Sequence, residues 1–156
     1  MGVDIPVANP ELVARLIGAR SAPETEVEAR VTRRMLREAR YLLATQLRHP
    51  DGGPPIVDGM MRAGSRIDVF QVAHPDGRTA LAVFTDWPSL RAAVGGGEEW
   101  SGLVEPGEDC FRLGLRPEYP GGAVINPAGP EITVALEPER IASLYASTRR
   151  RGGASR

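Results

Sequence analysis

The chain has 156 residues, which fits one domain of ordinary size. Hydrophobic residues make up 42% and charged residues 25%, a globular rather than a disordered composition. The 19 basic residues, all of them arginine, nearly balance 20 acidic residues, and this excludes a bulk polyanion binder and an acidic tail protein. The absence of lysine excludes a lysine Schiff base and a Walker-type phosphate loop, and a single cysteine excludes an internal disulfide.

The cellular compartment is inferred from what the sequence lacks. No basic N-terminal region leads into an apolar segment, and no apolar stretch approaches the roughly 18 residues that span a bilayer. We therefore expect a soluble, cytoplasmic protein that does not engage a membrane. The use of arginine alone, with many alanines and glycines, suggests a bacterial genome of GC-rich, actinobacterial type.

Capping signals predict two helices at the N-terminus. Asn9 is expected to cap the first helix and Gly18 to end it. The second helix is expected to begin near Glu24 and to run to about Glu38, with a narrow apolar stripe at a spacing of four residues. The residues of this stripe are Val27, Val31 and Met35. The pattern of residues 41–48 favours a strand, although continuation of the helix stays open.

The middle of the chain contains an irregular segment and a clear hairpin. Residues 49–66 are rich in glycine and proline and are expected to form a functional or mobile loop. Strands at 66–72 and 79–85 flank a tight turn at residues 74–77, where proline and glycine stand at the positions that a β-turn favours. Asp86 is then expected to cap a helix that ends at three consecutive glycines, residues 95–97.

The last third alternates short helices and strands. The pattern predicts a short strand near 103–104, a helix from 107 to 113 or 115, strands at 123–125 and 131–135, and a final helix from about 137. The final helix would carry Ile141, Leu144 and Tyr145 on one face. Together the elements predict an α+β fold: a single domain with a mostly antiparallel or mixed five-stranded sheet and helices packed on it.

Two sequence blocks resemble those of the SseB N-terminal domain family. Residues 82–90, which read AVFTDWPSL, resemble its strand-to-helix step, and residues 107–113 followed by 122–129 resemble its helix and its Val-Ile-Asn-Pro-x-Gly turn. The resemblance covers roughly residues 8–148 and implies an α+β domain at 9–148, with an N-terminal extension at 1–8 and a flexible arginine-rich tail at 149–156. Some members of the family continue into a second domain.

The resemblance implies no catalytic residues, because the biochemical activity of the family is undefined. Related domains occur beside secretion-system components in Gram-positive bacteria, which points to an accessory or binding role. The matched positions are interpreted as structural, because helix capping and turn chemistry account for their residue types. These positions are Phe84, Thr85, Asp86, Asn126, Pro127 and Gly129.

The residues that could support catalysis do not form a convincing set. Cys110 stands beside Glu108 and Asp109, which oppose the thiolate, so we expect a buried filler and not a nucleophile. His49 and His74 are expected to be solvated, and two distant histidines without paired spacing argue against a metal site. We therefore expect no enzyme activity and no cofactor.

Two surfaces are candidate binding sites. An arginine ridge on the second helix, with most members at helical spacing, could dock an anion or a partner, although a solvated face is the simpler interpretation. Its main members are Arg30, Arg33, Arg34 and Arg37. The loop at 49–66 contains apolar residues that either tuck under the domain or form an adhesive surface, and methionine adapts well to partners. These residues are Ile56, Val57, Met60 and Met61.

These surfaces lead to two functional hypotheses. The first is a non-catalytic protein-interaction or accessory module, which uses the loop or a sheet edge and could form a homodimer. The alternative is a regulatory domain that binds a small anion, a nucleotide or an amino acid at the arginine ridge. The eight aromatic residues are not interleaved with those arginines, which argues against nucleic acid as the partner.

Overall fold

Two helices precede the first strand. The computed structural model describes residues 5–95 and 100–145, and in it α1 spans Pro10–Ser21 and α2 spans Glu26–Glu38. The prediction that Gly18 ends α1 is wrong, because the helix continues for three more residues. Thr25 caps α2 by accepting a hydrogen bond from the backbone N–H of Glu28 at 3.1 Å, so α2 begins two residues later than predicted.

The polar and apolar faces of these helices also differ from the prediction. Asn9 makes no side-chain cap, and its Nδ2 instead donates to the carbonyls of Arg40 at 2.8 Å and Thr85 at 2.9 Å. On α2 the buried residues are Thr32 and Leu36, not the predicted stripe. Val27 and Val31 are exposed and Met35 is partly buried, so only one end of that stripe reaches the core.

The strands form three small sheets within the described residues. β1 spans Arg40–Arg48, which confirms the strand alternative, and it pairs antiparallel with β4 (Arg66–Val69) on one side and with β7 (Ser101–Pro106) on the other. β2 (Ile56–Val57) and β3 (Met60–Met61) form a separate hairpin. The third sheet has the order β5-β6-β8-β9, in which β6 and β8 are parallel.

The strands of the third sheet are short. β5 spans Gln71–Ala73, β6 spans Thr79–Val83, β8 spans Ala123–Ile125 and β9 spans Val134–Leu136. The predicted hairpin on either side of residues 74–77 is confirmed as β5 and β6, with the Gly77 N–H bonded to the His74 carbonyl at 2.7 Å. The strand predicted at 131–135 begins and ends later than expected.

The α+β class is confirmed, but the single five-stranded sheet is wrong. The predicted strand at 66–72 divides at Phe70, so that β4 pairs with β1 while β5 pairs with β6. The backbone of Phe70 bonds to both sheets, to Ala44 at 2.8 Å and to Ala82 at 3.3 Å. A bridge between Leu42 and Phe84 also joins the two sheets.

Three helices follow β6 within the described residues. α3 spans Trp87–Val94, where Asp86 accepts from the Ser89 N–H at 2.8 Å and confirms the predicted cap. α4 spans Gly107–Gly114, and a final helix, α5, occupies residues 138–145. Gly95 ends α3 with a positive φ of 69°, while the next two glycines and the arginine-rich tail lie outside the described residues.

The core divides into two clusters on opposite faces of β1. Tyr41 and Leu43 point into the first cluster, with Phe111 and Ile141 among its members. Leu42 and Ala44 point into the second, which includes Phe84, Leu90 and partly buried tryptophans. The alternation follows from the two-residue period of a strand, so β1 contributes to both clusters at once.

The N-terminal segment packs on the second cluster. Val7 is buried there, and the Trp87 Nε1 donates to the Ile5 carbonyl at 2.7 Å. Gly102 lies under the same indole, since a Cβ at that position would stand 2.2 Å from the ring. No helix among the described residues is long and apolar enough to cross a membrane.

Candidate interaction surface

The β2–β3 hairpin is an ordered element inside the segment that was predicted to be irregular. Asp58 and Gly59 form its tip with positive φ angles of 52° and 76°, and the pairing places Ile56 opposite Met61 and Val57 opposite Met60. Asparagine, aspartate and glycine are the residues that tolerate this left-handed backbone. The short loop therefore has a defined shape.

All four apolar side chains of the β2–β3 hairpin are exposed. Their exposed fractions are 45% for Val57, 50% for Ile56, 59% for Met61 and 75% for Met60. Of the two interpretations that the sequence left open, the structure supports the exposed surface and not a segment tucked under the domain. Because adjacent residues of a strand point to opposite faces, Ile56 and Met61 share one face of the hairpin, and Val57 and Met60 share the other. Four exposed apolar side chains clustered on one short hairpin are typical of an interaction site, whereas scattered exposed apolar residues need no explanation.

An ionic clamp holds the base of the hairpin. The Arg62 guanidinium donates to both carboxylate oxygens of Asp51, at 2.6 and 3.2 Å, and also to the Pro54 carbonyl at 3.3 Å. The Gly53 N–H donates to the same carboxylate at 2.7 Å. Arg62 and the Gly53 N–H together hold the pKa of Asp51 well below its usual range. The clamp fixes the shape of a two-stranded element that is marginal in water by itself.

His49 completes this base. Its Nδ1 lies 2.8 Å from a carboxylate oxygen of Asp51 and its Nε2 lies 2.9 Å from the Ala63 carbonyl. Only 14% of its side chain is exposed, so the prediction of a solvated His49 is wrong. The imidazole is a packing element between the two ends of the segment.

A second apolar surface lies on the β4-β1-β7 sheet, in which the strands β1 and β4 flank the hairpin in sequence. We define the open groove as a cavity of about 350 Å³ above the β4-β1-β7 sheet. Its apolar floor includes Ile67, which is 62% exposed, and Leu103, which is 46% exposed. The other floor residues are Leu43, Thr45 and Val69. Sequence reasoning missed this surface, although the alternation Arg66-Ile67-Asp68-Val69 indicates a strand with one apolar face.

Charged residues line the walls of the open groove. Glu105 comes from β7, while Asp109, Arg112, Leu113 and Arg116 follow one another along one face of α4 and its C-terminal end. The Arg112 guanidinium already bonds to Glu108 at 2.9 Å. Arg116 is exposed and makes no ion pair with any described residue. The groove thus combines an apolar floor with an available cation.

The arginine ridge of α2 is largely engaged within the domain. Arg30 pairs with Glu26 at 3.8 Å and Arg34 with Glu38 at 3.1 Å, both at the i,i+4 spacing of a solvated helix face. Arg37 donates to the Leu144 carbonyl on α5 at 3.1 Å. Arg33 is half-buried. These contacts match the simpler interpretation of the ridge, and anion binding there stays a prediction.

The family-motif residues come together in one buried hydrogen-bond network. The Asn126 Oδ1 accepts from the Thr85 N–H at 3.0 Å, and its Nδ2 donates to the Thr85 Oγ1 at 2.9 Å. The Thr85 hydroxyl donates in turn to Asp86, which caps α3. Phe84 is buried, and the Gly129 N–H closes the turn after Pro127 by bonding to the Asn126 carbonyl at 2.9 Å. This network links the ends of the parallel strands β6 and β8.

The remaining chemically interesting side chains are buried. Cys110 is fully buried, and desolvation together with Glu105 and Asp109 raises the pKa of its thiol to about 12, as expected for a filler. The prediction of a solvated His74 is wrong, because it is 7% exposed and packs against Gly121. Within residues 5–95 and 100–145, no three His, Cys, Asp or Glu side chains are placed to hold a metal ion.

The fold and its buried motif network define an α+β domain whose distinguishing residues are structural. The chain matches the family described as the SseB protein N-terminal domain over residues 12–143, most of its length, and it belongs to that family. The resemblance inferred from the two sequence blocks is therefore confirmed. No curated protein and no solved structure matches the chain.

Proposed function

We propose that this domain is a non-catalytic protein-interaction module and that the β2–β3 hairpin is its contact element. The observation that supports this best is the group of four exposed apolar side chains held on a clamped hairpin. A hairpin that is ordered before binding loses less conformational entropy when a partner docks. Its two methionines can adapt to the surface of the partner.

The placement of the reactive side chains supports a non-catalytic role. The one thiol is buried with a raised pKa, and the Thr85 hydroxyl and Asn126 amide are bonded to each other inside the core. None of these three groups can reach a substrate without rearrangement of the fold. We also propose a cytoplasmic location, with which the single free cysteine, Cys110, is compatible.

A capture experiment tests this function. The immobilised domain is incubated with a lysate of the host, and bound proteins are identified by mass spectrometry. We expect one stoichiometric partner, and we expect its loss when Ile56, Val57, Met60 and Met61 are all replaced by serine. Equal capture by this variant, with an unchanged thermal melt, would contradict the proposal.

The domain provides its own matched control for this experiment. Val27 and Val31 are exposed to a comparable degree on α2, away from the hairpin in sequence. The Val27→Ser and Val31→Ser double variant changes surface hydropathy without touching the hairpin. It should retain full capture, and a loss there would mean that the hairpin variant reports general adhesion.

A further inference from the structure

We propose that a second copy of this chain occupies the open groove, with the β2–β3 hairpin of each protomer inserted into the groove of its partner across a two-fold axis. This inference rests on the proposed function, because it uses the same hairpin as the contact element. It goes further in naming the occupant, the receiving surface and the symmetry.

Shape and hydropathy are complementary between the two surfaces. The hairpin is an exposed apolar protrusion, and the open groove is an apolar concavity of about 350 Å³. Ile67, the second residue of β4, lies beside apolar residues of the groove, yet its own exposed fraction is 62%. A reciprocal exchange would cover both apolar surfaces of each chain in one interface.

The connectivity of the chain allows the contact to close. β1 ends at Arg48 and β4 begins at Arg66, and the hairpin lies between them, so the hairpin leaves the sheet beside Ile67, one of the groove residues. Two adjacent complementary surfaces can meet around a two-fold axis in a closed dimer. Surfaces at opposite ends of the molecule would instead propagate into a filament.

Charge complementarity fixes the direction of insertion. Asp58 stands exposed at the hairpin tip and makes no ion pair with a described residue. Arg116, on the groove wall, is likewise exposed and without an ion pair in the part of the chain that the structure describes. Among the charged residues that line the groove, Glu105 and Asp109 would repel the acidic tip, whereas Arg116 of the partner would attract it, so we place Asp58 beside Arg116 of the partner.

Residues 146–156 are a poor competitor for the groove. Residues 146–156 read ASTRRRGGASR and contain no apolar side chain larger than that of alanine. They could not fill an apolar floor formed by isoleucine, valine and leucine. The hairpin is the exposed segment among the described residues that combines large apolar side chains with an acidic tip.

Sedimentation velocity of charge variants tests this arrangement. The wild-type chain should show a concentration-dependent dimer. Asp58→Arg and Arg116→Asp each place like charges at both contacts and should weaken dimerisation by about tenfold or more. Because each heterodimeric contact then joins opposite charges, an equimolar mixture of the two variants should restore the dimer.

Several outcomes would overturn the proposal. They are a wild-type chain that stays monomeric at every concentration, a dimer that neither charge variant weakens, and a mixture that fails to restore dimerisation. Arginine is strained at the left-handed tip, so Asp58→Asn serves as the control that keeps the turn. Asp58→Asn should weaken the dimer less than Asp58→Arg does.

The lysate experiment separates this inference from the proposed function. Hairpin-dependent capture of another protein by a monomeric wild-type chain would leave the function standing and overturn the dimer. A hairpin-dependent dimer without any captured protein would support the dimer and overturn the capture of other proteins. Loss of both would overturn both.

Discussion

Asn126 shows how one side chain can account for several motif positions. Its amide satisfies the Thr85 N–H and hydroxyl, and its own backbone adopts a φ of 51°, which asparagine tolerates better than most residues. The backbone carbonyl of Asn126 accepts from the Thr133 hydroxyl at 2.7 Å. Strand ends, turn and helix cap are therefore joined through one residue, and its role is structural.

Replacement of Asn126 should be costly. Asn126→Ala leaves the buried Thr85 N–H without its acceptor, and we expect a loss of about 1–3 kcal/mol in the free energy of unfolding, measured by urea titration. Asn126→Gly is the matched variant, because it also removes the amide but relieves the left-handed backbone. The difference between the two variants measures the cost of the left-handed backbone for alanine, and an Asn126→Ala variant as stable as the wild type would show that the hydrogen bonds contribute nothing.

Because the Cys110 thiol is buried, we expect the free energy of unfolding to fall at alkaline pH. The pKa of Cys110 is raised from 9.0 to about 12 in the folded state. The contribution of the neutral thiol to the free energy of unfolding is therefore fully present below pH 9 and is lost as pH rises toward 12. Burial likewise raises the pKa of Tyr145 to about 12 and also raises the pKa of Tyr41 and of Tyr119, so further groups act in the upper part of this window.

Cys110→Ala tests this prediction through the slope of the unfolding free energy against pH, and not through the absolute stability of the variant. Removal of one titrating group should make the fall in unfolding free energy between pH 9 and 12 shallower, by up to about 1.4 kcal/mol per pH unit. Urea unfolding at several pH values measures both slopes. Identical slopes for the variant and the wild type would contradict the assigned cause.

At the scale of elements, the sequence predicts what local chemistry determines. The cap at Asp86 and the turn at residues 74–77 need only neighbouring residues, and both are confirmed. The division of the predicted strand at Phe70 depends on two different pairing partners, which no local pattern contains. The choice between the Val31 and Leu36 faces of α2 likewise depends on what packs against that helix.

The candidate surface was predictable only in part, for a related reason. The apolar residues of the hairpin were visible in the sequence, but their exposure was not. The alternation in β4 predicts that Ile67 and Val69 share an apolar face, and such a face is normally covered. The local sequence does not indicate that this face stays uncovered by the other described elements. The open groove can therefore be recognised only from the tertiary structure.

The clamp at the hairpin base is expected to act locally. Arg62→Ala removes the bidentate contact with Asp51, and amide exchange at Val57 and Met60 should approach that of an unstructured peptide while global stability stays nearly unchanged. Hydrogen exchange with residue resolution measures this. Unaltered protection of the hairpin would show that the backbone pairing alone maintains it.

The same clamp gives the hairpin a predictable response to acid. The folded-state pKa of Asp51 lies below its ordinary value of 3.8, so the contribution of the carboxylate is present above that pH and is lost as pH falls through the folded value. The hairpin should therefore stay protected at neutral pH and lose protection only in strong acid. Asp51→Asn should show the loss at all pH values.

Replacement by alanine should change the stability of the domain in opposite directions at two helical glycines, Gly18 and Gly107. At Gly18, inside α1, an added methyl group meets nothing within 4 Å, so Gly18→Ala should stabilise the domain by about 1 kcal/mol. At Gly107, which begins α4, the added carbon would stand 2.5 Å from the Leu36 carbonyl oxygen. Gly107→Ala should destabilise the domain, and thermal unfolding of the pair checks both signs.

At the scale of the whole molecule, the two core clusters are predicted to unfold together. β1 contributes alternate residues to both, and Phe70 and the Leu42–Phe84 bridge join the two sheets. Trp87 and Trp100 report on the second cluster, whereas the Cys110 thiol reports on the first. Tryptophan fluorescence and thiol accessibility should therefore show the same midpoint in urea.

Leu42→Ala makes this test sharper, because Leu42 belongs to the second cluster alone. The truncation should cost about 2–5 kcal/mol and should move both unfolding curves by the same amount, including the thiol signal from the other face of β1. If tryptophan fluorescence moved while thiol exposure did not, the clusters would be separate folding units. A common shift would mean that β1 transmits the loss of packing, and that the two clusters form a single cooperative unit.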